Sequence, residues 1–114
     1  MATELIPTEW KTAVCAILKT QDKTKIEVRS RAALDWLATF PDSWSYELYE
    51  KIAEYLSADD AIGQPVTTMR EPGTVYEFIF MCKGRSLYSK INLKPSGEVL
   101  IIYSAHPPLK GETL

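Results

Sequence analysis

The last third of the chain constrains the fold most, because it holds three β-rich segments joined by turns. Residues 74–83, 85–93 and 98–104 are rich in Val, Ile, Tyr and Phe, which favour strands. The pair Lys-Gly separates the first two segments and the run Lys-Pro-Ser-Gly separates the last two, and both favour chain reversal. We therefore predict an antiparallel meander, in which a two-residue first turn sets Glu77 opposite Lys90.

The first half of the chain shows helical periodicity instead. Trp10, Val14, Ile17 and Leu18 follow the i, i+4, i+7, i+8 spacing of a buried helix face. This spacing predicts a first helix over residues 8–20.

A second helix is predicted from a capping residue and a proline. It begins at Ser30, ends before Pro41 and turns Ala33, Leu34 and Leu37 inward.

A third helix is predicted to begin at residue 42 or 43 and to end near residue 57. Its buried stripe consists of Leu48, Ile52, Tyr55 and Leu56. Short strands are also predicted at residues 26–29 and 66–69.

These elements fit into one domain, because 114 residues give room for a single hydrophobic core. The predicted domain has a helical part at about 8–57, a turn-rich segment at 58–73, a sheet meander at about 74–104 and an extended tail at 105–114. The predicted class is α+β, with N-terminal helices packed on one face of a C-terminal, curled antiparallel sheet of three or four strands.

Charge excludes one class of function and favours another. With 13 Lys and Arg against 15 Asp and Glu, the net charge is −2, which excludes a globally basic nucleic-acid coat protein. Residues 35–60 carry seven acids against one lysine, so this helical surface is strongly acidic. Such a surface suits a basic partner. A non-catalytic protein-binding module, such as an immunity or adaptor protein, is therefore the alternative to an enzyme.

Neither a metal site, nor a cofactor, nor a membrane span is predicted. The cysteines, Cys15 and Cys82, lack the paired spacing of zinc ligands and are expected to be buried free thiols. Neither a secretory signal nor an apolar run of about 18 residues is evident, so a cytoplasmic protein is expected.

The middle strand of the meander separates an apolar set of side chains from a polar one. Successive side chains of a strand point to opposite faces of the sheet. The set predicted to face the helices is Leu87, Ser89, Ile91 and Leu93, and the other set is Ser86, Tyr88, Lys90 and Asn92. We therefore expect Tyr88 and Lys90 side by side on an open face that meets solvent or a ligand.

The residue opposite Tyr88 depends on the register of the last hairpin, which the sequence leaves open. A four-residue loop sets Tyr103 opposite Tyr88. A shift of one residue sets Ser104 there and brings His106 to the same face.

Several of these features together resemble the RelE/ParE superfamily of bacterial toxins. They are a first helix, the run Arg-Ser-Arg-Ala-Ala-Leu at residues 29–34, an acidic third helix, the sequence Tyr88-Ser89-Lys90-Ile91 on the penultimate strand and an apolar last strand at 99–102. The branch that the chain looks most like is the motility quorum-sensing regulator toxins, which are mRNA interferases of type II toxin–antitoxin systems. The resemblance implies a metal-independent endoribonuclease that cuts mRNA, free or on the ribosome, and that a cognate antitoxin protein silences. It implies no cofactor and no DNA partner for the isolated chain.

The chemistry of that activity suits particular residues. Cleavage of RNA by its own 2′-hydroxyl needs a base for that proton, positive charge at the phosphate and an acid for the leaving oxygen. Lys90 and Arg85 would hold phosphate, and His106, the sole histidine, is best suited to exchange protons near neutral pH. Tyr88 would transfer a proton only beside a cation. The lysine that the family carries between the third helix and the first strand of the sheet has no clear counterpart, and Arg70 is the first stand-in for it and Gln64 the second. The implied catalytic residues are thus Tyr88, Lys90 and His106, and the implied substrate-binding residues are Arg85, Arg70 and Tyr103.

Overall fold

A computed structural model describes residues 3–108 of the chain. Within them, three helices pack on a six-stranded sheet that is mixed but largely antiparallel, which confirms the predicted α+β class. The helices are α1 (Thr8–Thr20), α2 (Ser30–Thr39) and α3 (Ser45–Leu56). The strands are β1 (Glu4–Leu5), β2 (Ile26–Val28), β3 (Ile62–Val66), β4 (Thr74–Cys82), β5 (Arg85–Leu93) and β6 (Leu100–His106), in the spatial order β1-β3-β4-β5-β6-β2. None of the three described helices combines the length and the apolar character that crossing a membrane requires.

Helix α1 has the predicted bounds, and all four residues of its predicted buried face are buried. It ends at Gln21, whose φ of 54° is left-handed and stops the helical hydrogen bonding. Lys11 is also buried, at 6% exposure, and its ammonium donates to the carbonyl oxygen of Ala58 at 2.8 Å. This bond ties α1 to the chain that leaves α3.

Helix α2 begins at Ser30 as predicted, but the prediction of its buried face is wrong. Ala32 and Trp36 are almost fully buried, whereas Leu34 is 65% and Leu37 is 50% exposed. A buried tryptophan removes more apolar surface from water than a leucine does, which favours the rotation that buries Trp36.

Helix α3 begins two residues later than the latest predicted start. The Glu47 carboxylate accepts a hydrogen bond from the backbone N–H of Trp44 at 2.7 Å, which satisfies a donor that the first turn leaves free. Leu48, Ile52 and Leu56 of the predicted stripe are buried.

The β4–β5 hairpin confirms the predicted turn and register. Lys83 and Gly84 have φ of 53° and 80°, the positive values that a tight two-residue hairpin turn requires. Glu77 pairs with Lys90 across the two strands.

The sheet has more strands than the three or four predicted. β2 joins one edge parallel to β6, and β3 and β1 extend the opposite edge. β2 lies within the short strand predicted at residues 26–29, whereas β1 and β3, of two and five residues, are too short for a period-two pattern to stand out. β3 lies at Ile62–Val66 rather than at 66–69. β6 continues to His106, so the start of the predicted tail belongs to the sheet, and its last part, 109–114, lies outside the described residues.

The helices cover one face of the sheet and enclose the core with it. Leu87 and Ile91 are fully buried there, as predicted from strand alternation. The opposite face is more polar, and residues 67–73 return across its edge from β3 to β4. Gly73 makes this return possible, because its φ is 134° and a Cβ there would lie 1.9 Å from Oδ1 of Asn92.

Candidate functional site

The last hairpin has a register that neither predicted alternative anticipates. Tyr88 pairs with His106 and Lys90 pairs with Ser104, so Tyr88 is opposite neither Tyr103 nor Ser104. The register shifts directly after Lys90, which makes Tyr103 an extra residue on β6, a β-bulge. His106 consequently lies on the same sheet face as Tyr88 and Lys90, which is the face that the second predicted alternative gave it, although the register differs.

Tyr88 lies on the predicted polar face, but that face is closed around it. Only 5% of Tyr88 is exposed. Its hydroxyl donates a hydrogen bond to the Glu77 carboxylate. Its ring stacks on that of His106, with ring centres 5.1 Å apart and planes 25° apart. Because the hydroxyl already donates to a carboxylate, the geometry favours holding His106 in place over proton transfer by Tyr88.

His106 ends β6 and turns one ring nitrogen toward the backbone. Its Nδ1 lies 2.7 Å from the carbonyl oxygen of Pro107. A carbonyl oxygen can only accept, so Nδ1 carries the hydrogen and the lone pair of the neutral ring is on Nε2. Nε2 is therefore the atom able to take up a proton.

Lys90 adds a cation beside these two rings. It is half-buried and lies between Glu77 on β4 and Ser104 on β6. His106 follows Ser104 by two residues, so Lys90 is its diagonal neighbour, at about 7–8 Å across the strands. Glu77, Tyr88, Lys90 and His106 are named the Tyr88 cluster below. This cluster unites the three residues predicted to be catalytic.

A second polar group lies at the bulge. The Tyr103 hydroxyl donates to Glu71 Oε1 at 2.9 Å and accepts from Asn92 Nδ2 at 3.2 Å. Arg29 Nη2 donates to both carboxylate oxygens of Glu71 at 2.6 Å. The guanidinium carbon of Arg29 lies 5.5 Å from the centre of the Tyr103 ring. Arg29, Glu71, Asn92 and Tyr103 are named the Tyr103 cluster.

The Tyr103 cluster has the features of a structural clamp. The hydrogen bond from Tyr103 and the charge of Arg29 lower the pKa of Glu71, so this carboxylate is held ionised. Burial raises the pKa of Tyr103, which keeps its hydroxyl protonated as a donor. These bonds fasten residues 67–73 to β2 and β6. Tyr103, predicted to bind substrate, thus uses its hydroxyl within the protein.

The two predicted substrate-binding arginines do not join the Tyr88 cluster. Arg85 is exposed at the hairpin end, and strand alternation assigns it to the face of Leu87 rather than that of Tyr88. Arg70 is exposed in the segment that precedes β4, next to Glu71 in sequence. Lys90 is the cation that strand pairing brings to the Tyr88 cluster.

Sequence reasoning missed the roles of Arg29 and Glu71. The two residues are 42 positions apart and meet through the parallel β2–β6 pair and the segment before β4. The strand at 26–29 was predicted, but neither its parallel pairing with β6 nor the path of that segment has a sequence signal. The role of Glu77 was accessible from sequence, since the two-residue turn already sets it opposite Lys90 and hence near Tyr88.

The chemistry of the Tyr88 cluster has to be inferred from its own residues. Across residues 3–108, no three His, Cys, Asp or Glu side chains are grouped as a metal site requires. Comparison with family models, with curated proteins and with solved structures finds no match for this chain.

Proposed function

We propose that the protein is a metal-independent endoribonuclease that cuts mRNA and that the Tyr88 cluster is its active site. The observation that carries the proposal is the pairing of Tyr88 with His106, which brings the sole histidine of the chain to the face of Lys90. A histidine and a lysine on one face supply proton transfer and positive charge. These are the two main requirements of RNA cleavage by its own 2′-hydroxyl.

The proposed reaction uses both groups at one phosphate. Nε2 of His106 takes the proton of the 2′-hydroxyl, and the 2′-oxygen attacks the adjacent phosphorus. The bond from phosphorus to the 5′-oxygen breaks and water protonates the departing oxygen. The hydroxide that remains takes the proton from Nε2 of His106, which restores the base. The Lys90 ammonium stabilises the negative charge that builds up on the phosphate oxygens. The products are a 2′,3′-cyclic phosphate and a 5′-hydroxyl.

Tyr88 is a positioning residue in this proposal. Its ring supports the His106 ring, and the bond to Glu77 fixes the Tyr88 ring in turn. An imidazole held in one plane directs Nε2 at one point, which lowers the entropic cost of reaching the transition state.

Induced expression in bacteria tests the proposal. The wild-type protein should arrest growth and deplete mRNA, and the RNA fragments should end in 2′,3′-cyclic phosphates. Lys90→Ala should relieve both effects at an equal protein level, because the charge at the phosphate is lost. Lys23→Ala removes an exposed lysine from the loop after α1 and is the matched control, expected to stay as toxic as wild type. Intact mRNA at confirmed soluble expression of the wild type, or full toxicity of Lys90→Ala, would contradict the proposal.

A groove between α2 and α3 favours a second function, the docking of a protein partner. The groove has a volume of about 380 Å³ and is lined mainly by apolar side chains, among them Trp36, Leu37, Trp44 and Leu48. Trp44 is 70% exposed at its edge. Exposed tryptophan and leucine beside an apolar groove are typical of binding surfaces.

We propose that this groove holds a basic segment of a partner, anchored by an apolar side chain. The argument is charge complementarity, since the segment from the end of α2 through α3, residues 35–60, carries seven acids and one lysine. Asp42 and Glu50 are exposed there. The antitoxin implied by the sequence resemblance is a partner of this kind.

The probe is a basic peptide that carries one central leucine, with its affinity measured by calorimetry. Trp44→Ala should weaken binding by at least about tenfold, as expected for a tryptophan anchor. Leu5→Ala is the control, because Leu5 is equally apolar and exposed but lies on β1, away from the groove. Unchanged affinity of Trp44→Ala would rule out the groove as the docking surface.

A further inference from the structure

A second groove, between α2 and the end of β6, shares His106 with the Tyr88 cluster, and the rest of its lining has no part in the mechanism above. It exists because β2 pairs only with residues 100–102 of β6, so the rest of this strand has α2 beside it in place of β2. Its volume of about 500 Å³ is within the range of about 300–1,000 Å³ that is usual for small-molecule sites. Its polar lining consists of Arg31, Asp35, Thr39, Tyr103, Ser104 and His106. An alanine of α2 and two prolines after β6 add apolar wall.

Two oppositely charged side chains lie together on the helical wall of this groove. Arg31 Nε is 3.3 Å from both carboxylate oxygens of Asp35, one helical turn later. The Arg31 side chain is 84% exposed and that of Asp35 is 25% exposed. Because Arg31 is so exposed, this ion pair contributes little to stability and the arginine exchanges readily for other partners. The groove therefore offers a donor and an acceptor side by side.

The Arg31–Asp35 pair favours one part of an RNA chain, the base, over the phosphate. Arg31 and Asp35 neutralise each other, so the helical side of the groove has no net charge to attract phosphate and is suited to a base. Guanine is the standard RNA base whose Watson–Crick edge has two adjacent N–H donors, on N1 and N2, next to an acceptor, O6. A carboxylate accepts from such a donor pair with both oxygens, and a guanidinium donates to O6.

We propose that the groove binds a guanine base of the RNA substrate, with Asp35 accepting from N1–H and N2–H and Arg31 donating to O6. The inference rests on the proposed ribonuclease and names its sequence preference. His106 lines the same groove, so a base held against α2 has its adjoining phosphate at the His106 end. The enzyme is then expected to cleave next to guanine.

Mapping of cleavage ends tests the preference. Purified protein is given a mixed-sequence RNA, and the bases flanking each cut are counted by sequencing. Wild type should cut next to guanine at least about tenfold more often than next to other bases, since a bidentate base contact discriminates by about tenfold to a hundredfold. Asp35→Asn replaces an acceptor with an amide of the same shape and should lose the preference. Asp60→Asn, an exposed acid in the turn after α3, should keep it. Equal cutting at all bases by wild type, or an unchanged preference in Asp35→Asn, would overturn the guanine site and leave the ribonuclease proposal intact.

A binding measurement separates failure of the site from failure of the enzyme. Guanosine 3′-monophosphate and adenosine 3′-monophosphate are titrated into Lys90→Ala protein and followed by amide NMR shifts. The guanine nucleotide should bind at least about tenfold more tightly, and adding Asp35→Asn should remove this difference. If wild type cuts no RNA but this guanine preference is found, the site stands and the ribonuclease proposal fails. If neither cleavage nor guanine preference is found, both fail.

Discussion

Replacing His106 with alanine should lower the rate of RNA cleavage by about 10²- to 10⁴-fold, the usual contribution of a proton-transferring side chain. The reason is that Nε2, the atom left to take up a proton once Nδ1 donates to the Pro107 carbonyl, is removed. Initial rates of purified protein on an end-labelled RNA measure the effect. The same RNA should still bind, because Lys90 and the two groove residues proposed to hold the base, Arg31 and Asp35, are unchanged.

Tyr88→Phe is the comparison that distinguishes positioning from proton transfer. Phenylalanine keeps the ring on which His106 stacks and removes only the hydroxyl that donates to Glu77. Its rate should therefore stay within about tenfold of wild type, a far smaller loss than that of His106→Ala. A loss as large as that of His106→Ala would mean that the Tyr88 hydroxyl reacts directly. Cleavage by His106→Ala within threefold of wild type would remove the histidine from the mechanism.

The parts of the fold that sequence predicts well are those decided within a few residues. The α1 stripe repeats over three turns, and its helix has the predicted bounds. The Lys83-Gly84 turn admits positive φ at both positions, and that alone sets the register of nine residue pairs in the β4–β5 hairpin. In both places the local pattern has one structural solution.

Where two local patterns compete, sequence reasoning fails. Helix α2 has two apolar sets on different sides, and leucine periodicity selects the side that is exposed. The outcome is decided by Trp36, which belongs to the hydrophobic core. The centre of its ring lies 4.8 Å from the centre of the Phe40 ring. Which set is buried depends on the shape of the rest of the core. The periodicity of one helix carries no information about that shape.

The candidate site depends on the bulge in β6, which is also a feature that local sequence patterns do not decide. Beside the connecting loop, Leu93 pairs with Leu100. If this register continued unchanged, Ala105 would lie opposite Tyr88, and His106 would lie opposite Leu87 on the helix side. The one-residue shift moves His106 to the polar face, next to Lys90. Sequence thus identifies the reactive residue types, and one of the two predicted registers brings His106 to the face of Tyr88. The direct pairing of the two residues requires a bulge, which has no sequence marker. Bulges of this kind often re-aim a side chain next to an active site.

Substitution of Ile91 by alanine should reduce the free energy of unfolding by about 2–5 kcal/mol, the largest stability effect we expect. Ile91 is fully buried between the sheet and the helices, so truncation removes apolar contacts and leaves a cavity. Lys90→Ala is the matched control, since Lys90 is the preceding residue on the same strand and points to the polar face. Lys90→Ala should lower the free energy of unfolding by less than about 1 kcal/mol. Urea denaturation followed by tryptophan fluorescence measures both values.

The comparison of Ile91→Ala with Lys90→Ala tests which side chains of β5 face the helices and which face the polar side of the sheet. The Tyr88 cluster depends on this assignment. A one-residue error in β5 would exchange the faces of all its side chains, and the costs of the two substitutions would then exchange as well. A loss below about 1 kcal/mol for Ile91→Ala, or a larger loss for Lys90→Ala than for Ile91→Ala, would contradict the faces assigned here. The expected order also validates the toxicity experiment, because a Lys90→Ala protein that folds as stably as wild type can lose activity only through the side chain it lacks.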